Sequence, residues 1–153
     1  MKYLFLVAAL LVTSLTFSQA SLSKDNAKFM IEVFFDGFHK GDSTKMRSVM
    51  VKNMRMQTVY TSKNDGQKLT QTRSSDFLAM IANRKPDQTW EERILDYKIE
   101  IDGSLATVWT PYQFYVNGEL SHCGANAFTL VQTNDGWKIY SVIDSRRLKG
   151  CGE

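Results

Sequence analysis

The apolar positions change their period along the chain, and each change predicts a different element. Between residues 23 and 40, Ala27, Ile31, Phe34, Phe35 and Phe38 recur three and four apart, which lays one stripe along a helix. Ser23 or Asp25 can cap its start and Gly41 can end it. Asp42 or Ser43 then opens a short second helix through Met50. Met54 to Ser62 reads as a strand, Asn64-Asp65-Gly66 as a turn, and Lys68 to Arg73 as the returning strand. A third helix fits residues 75–83, capped by Ser74 or Ser75 and stopped ahead of Pro86. From Thr89 the period falls to two. Strands over 90–101, 105–116, 119–133 and 137–147 are separated by Asp102-Gly103, Asn117-Gly118 and Asn134-Asp135-Gly136. The pattern predicts an α+β domain, helices first and a four-strand antiparallel meander last.

Taking Asp102-Gly103 and Asn117-Gly118 as two-residue turns and 134–136 as a three-residue loop fixes the registers and sorts the strands into two faces. One face collects Tyr97, Ile99, Ile101, Val108, Tyr112, Phe114, Cys123, Ala125, Ala127, Ile139, Ser141 and Ile143. It is apolar and is expected to lie against the helices. The other collects Lys98, Trp109, Gln113, His122, Asn126, Phe128, Leu130, Tyr140, Val142, Asp144 and Arg146, an aromatic patch among charges that is expected to face outward. On the inner face, small Ala125, Ala127 and Ser141 stand among Tyr97, Tyr112, Phe114 and Ile143. They either let a helix approach or leave a pocket.

Residues 1–20, MKYLFLVAALLVTSLTFSQA, carry an early Lys, an apolar run and small Ser18 and Ala20. They read as a secretory signal peptide. Tyr3 to Val12 is too short to cross a bilayer, so no integral membrane segment is expected after cleavage. The remaining 133 residues suit one domain over 21–153, and losing Lys2 takes the net charge from +3 to +2. With both signs interspersed, this balance gives no footprint for nucleic acid.

Export, to periplasm or outside the cell, changes the reading of Cys123 and Cys151, since oxidising compartments favour disulfides. Cys123 would sit opposite Arg147, and a chain curling after Leu148 brings Cys151 within reach. Two free thiols are the next reading. Metal ligation is remote, because no second His or Cys stands at ligand spacing. His122 beside Cys123 suggests a nucleophilic dyad, but strand neighbours point to opposite faces. His39, at a helix end, suits a capping or surface role. Asp36 is expected to point to solvent, and Asp144 with Arg146 to form a surface ion pair.

The order helix, helix, hairpin, helix, meander resembles the nuclear transport factor 2-like fold. "FHKGDSTKM" resembles that superfamily's passage between its first helices, and "NDGWKIYSVIDS" its closing hairpin. With the stretch from Trp109 through "SHCGANAF" to "DSRRLKGC", the chain looks like the SnoaL-like and putative lumazine-binding branch of exported bacterial proteins over residues 23–151. The resemblance implies a cone: N-terminal helices packed on a strongly curved antiparallel sheet, a pocket at the open end, and homodimers formed through the outer face. Trp109, Phe128, Leu130 and Tyr140 would then supply a dimer surface. Ketosteroid isomerases of this fold use a Tyr, an Asp base and a protonated Asp. Their positions fall at Phe34, Thr58 and Ala127, none of which retains the chemistry.

The expected function is therefore binding of a small, partly apolar molecule, or an accessory role, with no catalytic set identified and no cofactor or metal implied. Pocket candidates are Phe34, Phe38, Thr58, Tyr97, Tyr112, Phe114, Ala125, Ala127, Ser141 and Ile143. Candidates on the outer face are Trp109, His122, Asn126 and Asp144, the last three able to cluster. An isomerase, cyclase or dehydratase with an unrecognised acid-base pair is the alternative, and a homodimeric interaction module with a packed core is another. An open cavity with a carboxylate in hydrogen-bond reach of Tyr97 or Tyr112 would favour the enzyme. A closed core would leave only the module.

Overall fold

The computed structural model describes residues 21–152, so the expected signal sequence lies outside the described residues. Helix α1 (Lys24–Lys40) starts where Ser23 Oγ accepts the Asn26 N–H at 3.1 Å. It stops at Gly41, whose φ of 73° is the left-handed turn glycine takes at little cost. Asp42 then caps α2 (Ser43–Ser48), accepting the Lys45 N–H at 2.8 Å. The rest of the order is β1 (Met50–Ser62), β2 (Gly66–Arg73), α3 (Ser74–Ala82), β3 (Trp90–Ile94), β4 (Lys98–Asp102), β5 (Leu105–Val116), β6 (Glu119–Thr133) and β7 (Gly136–Arg147). Among the described residues no helix is long and apolar enough to cross a membrane.

The architecture is helices packed on a curved, unclosed sheet in the order β2-β1-β7-β6-β5-β3, with β4 also pairing β5. The sheet is mixed rather than antiparallel, because β1 runs parallel to β7. The expected strand over 90–101 is two strands. Between them Leu95 N–H bonds Pro111 O at 2.9 Å, and the Asp96 side chain accepts the Tyr97 N–H at 2.8 Å. Thr133 pairs with Gly136, so the last loop is a two-residue turn, and a bulge at Tyr140 then restores the expected pairing from Thr129–Ser141 onward.

A larger departure lies at the start of β6. The turn at Asn117-Gly118 pairs Val116 with Glu119 and Tyr115 with Leu120, but Phe114 pairs with His122, leaving Ser121 as an extra residue. One bulged residue turns every later side chain of the strand to the other face. His122, Asn126, Phe128 and Leu130 therefore face the helices. Cys123, Ala125 and Ala127 face outward, and β7 follows, with Val142 and Asp144 opposite Phe128 and Asn126. Phe128 and Leu130, expected in an outer aromatic patch, belong to the core with Ala27, Ile31, Val108 and Ile139.

Cys123 is buried although it faces outward, because the C-terminal tail lies over it. Its sulfur and that of Cys151 are at disulfide distance, with Cα atoms 5.5 Å apart. The neighbouring Gln113, its partner across β5 and β6, donates its side-chain amide to the Cys151 carbonyl. The two cysteines meet as expected, on the face opposite to the expected one.

Candidate functional site

Toward its open end the concave face is not filled. A cavity of about 450 Å³ lies there, walled by Phe34, Phe35 and Phe38 of α1, Phe77 and Met80 of α3, and Trp90, Phe114 and Phe128 of the sheet. That volume suits a small organic molecule. The α1 stripe recurs every three to four residues, so its aromatic half lands on the cavity. Phe38 is the hub: its ring stacks on Phe77 at 6.2 Å and stands 6.0 Å from both Trp90 and Phe114.

The cavity's polar groups come from the same strands. Asp144 on β7 accepts from Thr58 Oγ1 at 2.6 Å, from Arg146 Nε at 2.8 Å and from the Tyr112 hydroxyl at 3.2 Å. Three donors to one carboxylate hold it in place. On β6, Asn126 donates Nδ2 to Glu92 Oε1 at 2.7 Å and to Thr110 Oγ1 at 3.2 Å. Glu92 is anchored a second time through its backbone N–H, which His39 Nε2 of α1 accepts at 2.9 Å. His122 packs its ring against Phe114 at 4.8 Å and edge-on to Tyr112 at 5.9 Å, with Ser121 Oγ 3.1 Å from its Nδ1.

Burial separates the protonation states of these groups. It pushes the Glu92 carboxyl up to about 8, with Asp144's charge adding to the shift and the Asn126 hydrogen bond opposing it, so Glu92 carries a proton at neutral pH. Burial also raises the Tyr112 hydroxyl, helped by Asp144, and keeps it a neutral donor. Both histidines are lowered by burial, with Arg146 adding to the shift at His122, and stand as neutral imidazoles. A protonated Glu92 carboxyl, the Asp144–Arg146 pair and a neutral imidazole thus share one opening. Such groups can hydrogen-bond, accept charge or move a proton.

The structure divides the expected site residues. Phe34, Phe38, Thr58 and Phe114 line the cavity, and Tyr112 lies buried behind its polar side, reaching Asp144. Tyr97 stands elsewhere, with Lys28 Nζ 5.1 Å above its ring. Ala125, Ala127, Ser141 and Ile143 do not line the cavity. The Ser121 bulge puts them on the convex face, where their small side chains open nothing. The same bulge corrects the placement of His122, Asn126 and Asp144, which cluster inside the cavity and not on the outer face. Trp109 is exposed on the outer face, at 46%. The Asp144–Arg146 pair is not a surface pair, since the Asp144 side chain is only 15% exposed. His39 is half-buried and holds β3, so it has no surface role. Asp36 does face solvent, paired with Lys40 and Lys45, whose hydrogen bonds hold its carboxyl down to about 2. Among the described residues no cluster of side chains is suited to a metal ion.

Sequence reasoning missed Glu92, Trp90 and Phe77. A signal for Glu92 exists: Trp90, Glu92 and Ile94 alternate with Glu91 and Arg93, which puts one carboxyl on the apolar side of a short strand. An unbroken strand to residue 101 hides it, because the break at 95–97 reverses the phase.

Similar solved structures share this architecture. A "putative dehydratase" of the NTF2-like family from Streptomyces avermitilis is 17% identical, with a TM-score of 0.61, covering 81% of this chain and 95% of its own. An NTF2-like protein with a cystatin-like fold from Novosphingobium aromaticivorans is 15% identical, with a TM-score of 0.63 and coverage of 84% and 83%. One of unknown function from Shewanella baltica is 19% identical, with a TM-score of 0.56 and coverage of 82% and 98%. At these identities the likeness is one of fold. No curated protein matches the chain. The family model described as "Putative lumazine-binding" matches residues 23–143, and with that match the chain belongs to that family, on the nuclear transport factor 2-like fold.

Proposed function

We propose that the chain binds a small, partly apolar molecule in the cavity at the open end of the cone. The observation that carries this reading is an aromatic enclosure of about 450 Å³ whose polar groups sit together and are held from several elements. Burying Glu92 and Asp144 in a wall costs stability that their hydrogen bonds only partly offset, and groups held at such a cost gather at sites that use them. The reading is tested by native mass spectrometry of the protein purified from its own compartment. The wild type is expected to carry a bound small molecule, and Val142→Phe, which fills the cavity beside Phe128, is expected to lose it while unfolding within about 2 kcal/mol of wild type. An empty wild-type cavity that also admits no apolar probe would overturn it.

An acid-base enzyme is the second reading. A carboxylate within 3.2 Å of the Tyr112 hydroxyl in an open cavity favours it over a packed interaction module. Binding still leads, because Asp144 already accepts from three protein donors, which occupy most of its acceptor sites. A homodimer through the convex face is supported by the row Trp109–Ala127–Ile143, where two exposed apolar side chains flank an alanine. Export to an oxidising compartment is supported by the closeness of Cys123 and Cys151 and by the character of residues 1–20.

A further inference from the structure

Glu92 is a carboxyl with no counter-ion. Among the described residues, Asp36 pairs with lysines, Asp76 with Arg73, Glu91 with Arg93 and Asp144 with Arg146, while no basic group lies within pairing distance of Glu92. Nor is it a loose side chain that swings to water. His39 fixes its backbone from α1, and Asn126, itself tied to Thr110, fixes one of its oxygens from β6.

The charges around it leave it alone. From β7, Asp144 and Arg146 face it as a pair closed at 2.8 Å and largely cancel. From α1 comes His39 and from β6 His122, both neutral through burial. On its own strand, Trp90 shares its face, and Phe114 is its direct partner on β5. Aromatic faces carry negative potential and attract cations most strongly where water is excluded. Trp90 already takes one cation, the Arg84 guanidinium 5.3 Å from its ring centroid.

We propose that the cavity takes a monocationic amine with an apolar flank, the ammonium lying between Glu92 and the aromatic walls of Trp90, Phe38 and Phe114. This rests on the ligand-binding reading above and specifies the charge of its ligand. In the empty cavity Glu92 holds its proton because burial disfavours the anion. A bound cation supplies the missing partner, so binding releases that proton to solvent, and affinity rises with pH until Glu92 is ionised without help. A ligand that offers only a carbonyl or a carboxylate uses the protonated carboxyl as a donor and shows the opposite trend.

Calorimetric titration of the purified protein with benzyltrimethylammonium, its uncharged isostere neopentylbenzene, and phenylacetate separates these cases. The ammonium is expected to bind about tenfold tighter than neopentylbenzene near pH 9, an advantage that shrinks by about tenfold or more near pH 6. Glu92→Gln is expected to abolish the pH trend of the ammonium, read as its affinity relative to neopentylbenzene at each pH. If that variant fails to fold, the wild-type pH trend decides by itself. Equal or tighter binding of neopentylbenzene or phenylacetate near pH 9 overturns the charge assignment and leaves the cavity a ligand site. An ammonium preference that does not vary with pH overturns the role of Glu92. If none of the three binds to folded protein, the ligand-binding reading fails with the proposal.

Discussion

The two ends of the concave face are made from the same strands and behave differently. At the closed end β5 contributes Ala106 and Val108, β6 contributes Leu130, and β7 contributes Ile139, all buried against Ala27 and Ile31 of α1. Further along, the same strands present Phe114, then His122 and Asn126, then Asp144 and Arg146, around an open cavity, with Thr110 and Tyr112 buried behind its polar side. The helix changes in step, from Ala27 and Ile31 to the aromatic Phe34, Phe35 and Phe38. Aliphatic side chains seal the closed end by filling volume, and many substitutions of similar size would serve. Every polar group at the open end needs a particular partner in a particular place. The cone is thus packed with apolar side chains at one end and open and polar-lined at the other.

The largest effect is expected where the open, polar end depends on the absence of a side chain. A Cβ at Gly124 would collide with the Ser145 carbonyl oxygen and come within 3.0 Å of the Tyr112 hydroxyl. The backbone cannot give way cheaply there, since Gly124 is paired to Arg146 on one side and Tyr112 on the other. Gly124→Ala is expected to cost roughly 4 kcal/mol in urea denaturation and to disturb the Tyr112–Asp144 contact. A variant within about 1 kcal/mol of wild type would show that the polar end is softer than its hydrogen bonds imply.

The next effect compares the two ends directly. Leu130→Ala leaves a void in a sealed, fully buried site and is expected to cost about 3 kcal/mol. Phe77→Ala removes a larger, partly buried ring, but one whose inner side already borders the cavity, and is expected to cost about 1.5 kcal/mol. Equal losses in the same denaturation experiment would erase the distinction between a packed end and an open one.

Much of the fold was legible in the sequence, and its largest failure has one cause. The α1 stripe, the order of helices and hairpins and the Asx-Gly turns follow from local chemistry: period, caps, and residues that tolerate positive φ. The meeting of Cys123 with Cys151 follows from the β6–β7 register, which sets Cys123 opposite Arg147. The faces of β6 and β7 do not. Ser121 enters as a bulge, and alternation could not reveal it, because β6 has plausible inward residues in either phase. Cys123, Ala125 and Ala127 are as acceptable in a core as Phe128 and Leu130. The clustering of His122, Asn126 and Asp144 survived because it depends on the register between β6 and β7 and not on which way the pair faces. Glu92 was lost for a related reason, the break that resets the phase after Ile94. Register within a sheet is local, whereas the choice of face is inherited from every bulge upstream.

The smallest effect isolates what the open end gives up. The Glu92 carboxyl sits near 8 in the folded chain, through burial first and Asp144's charge second, against about 4.5 in an unfolded one. A folded pKa above the unfolded value means the native state binds the extra proton. Glu92 therefore costs nothing in ionisation below about pH 4.5, and its contribution is lost progressively as pH rises toward 8. Glu92→Gln keeps an oxygen for Asn126 Nδ2 and removes the titration. The variant is expected to match wild type near pH 5 and to exceed it by on the order of 1 kcal/mol near pH 9, after allowing for solvent reaching the cavity. The two proteins are compared by urea denaturation across that range, since the difference between them cancels every group they share. Parallel stability curves would mean that Glu92 ionises freely in the folded chain, and the open end would then carry a net negative charge at neutral pH.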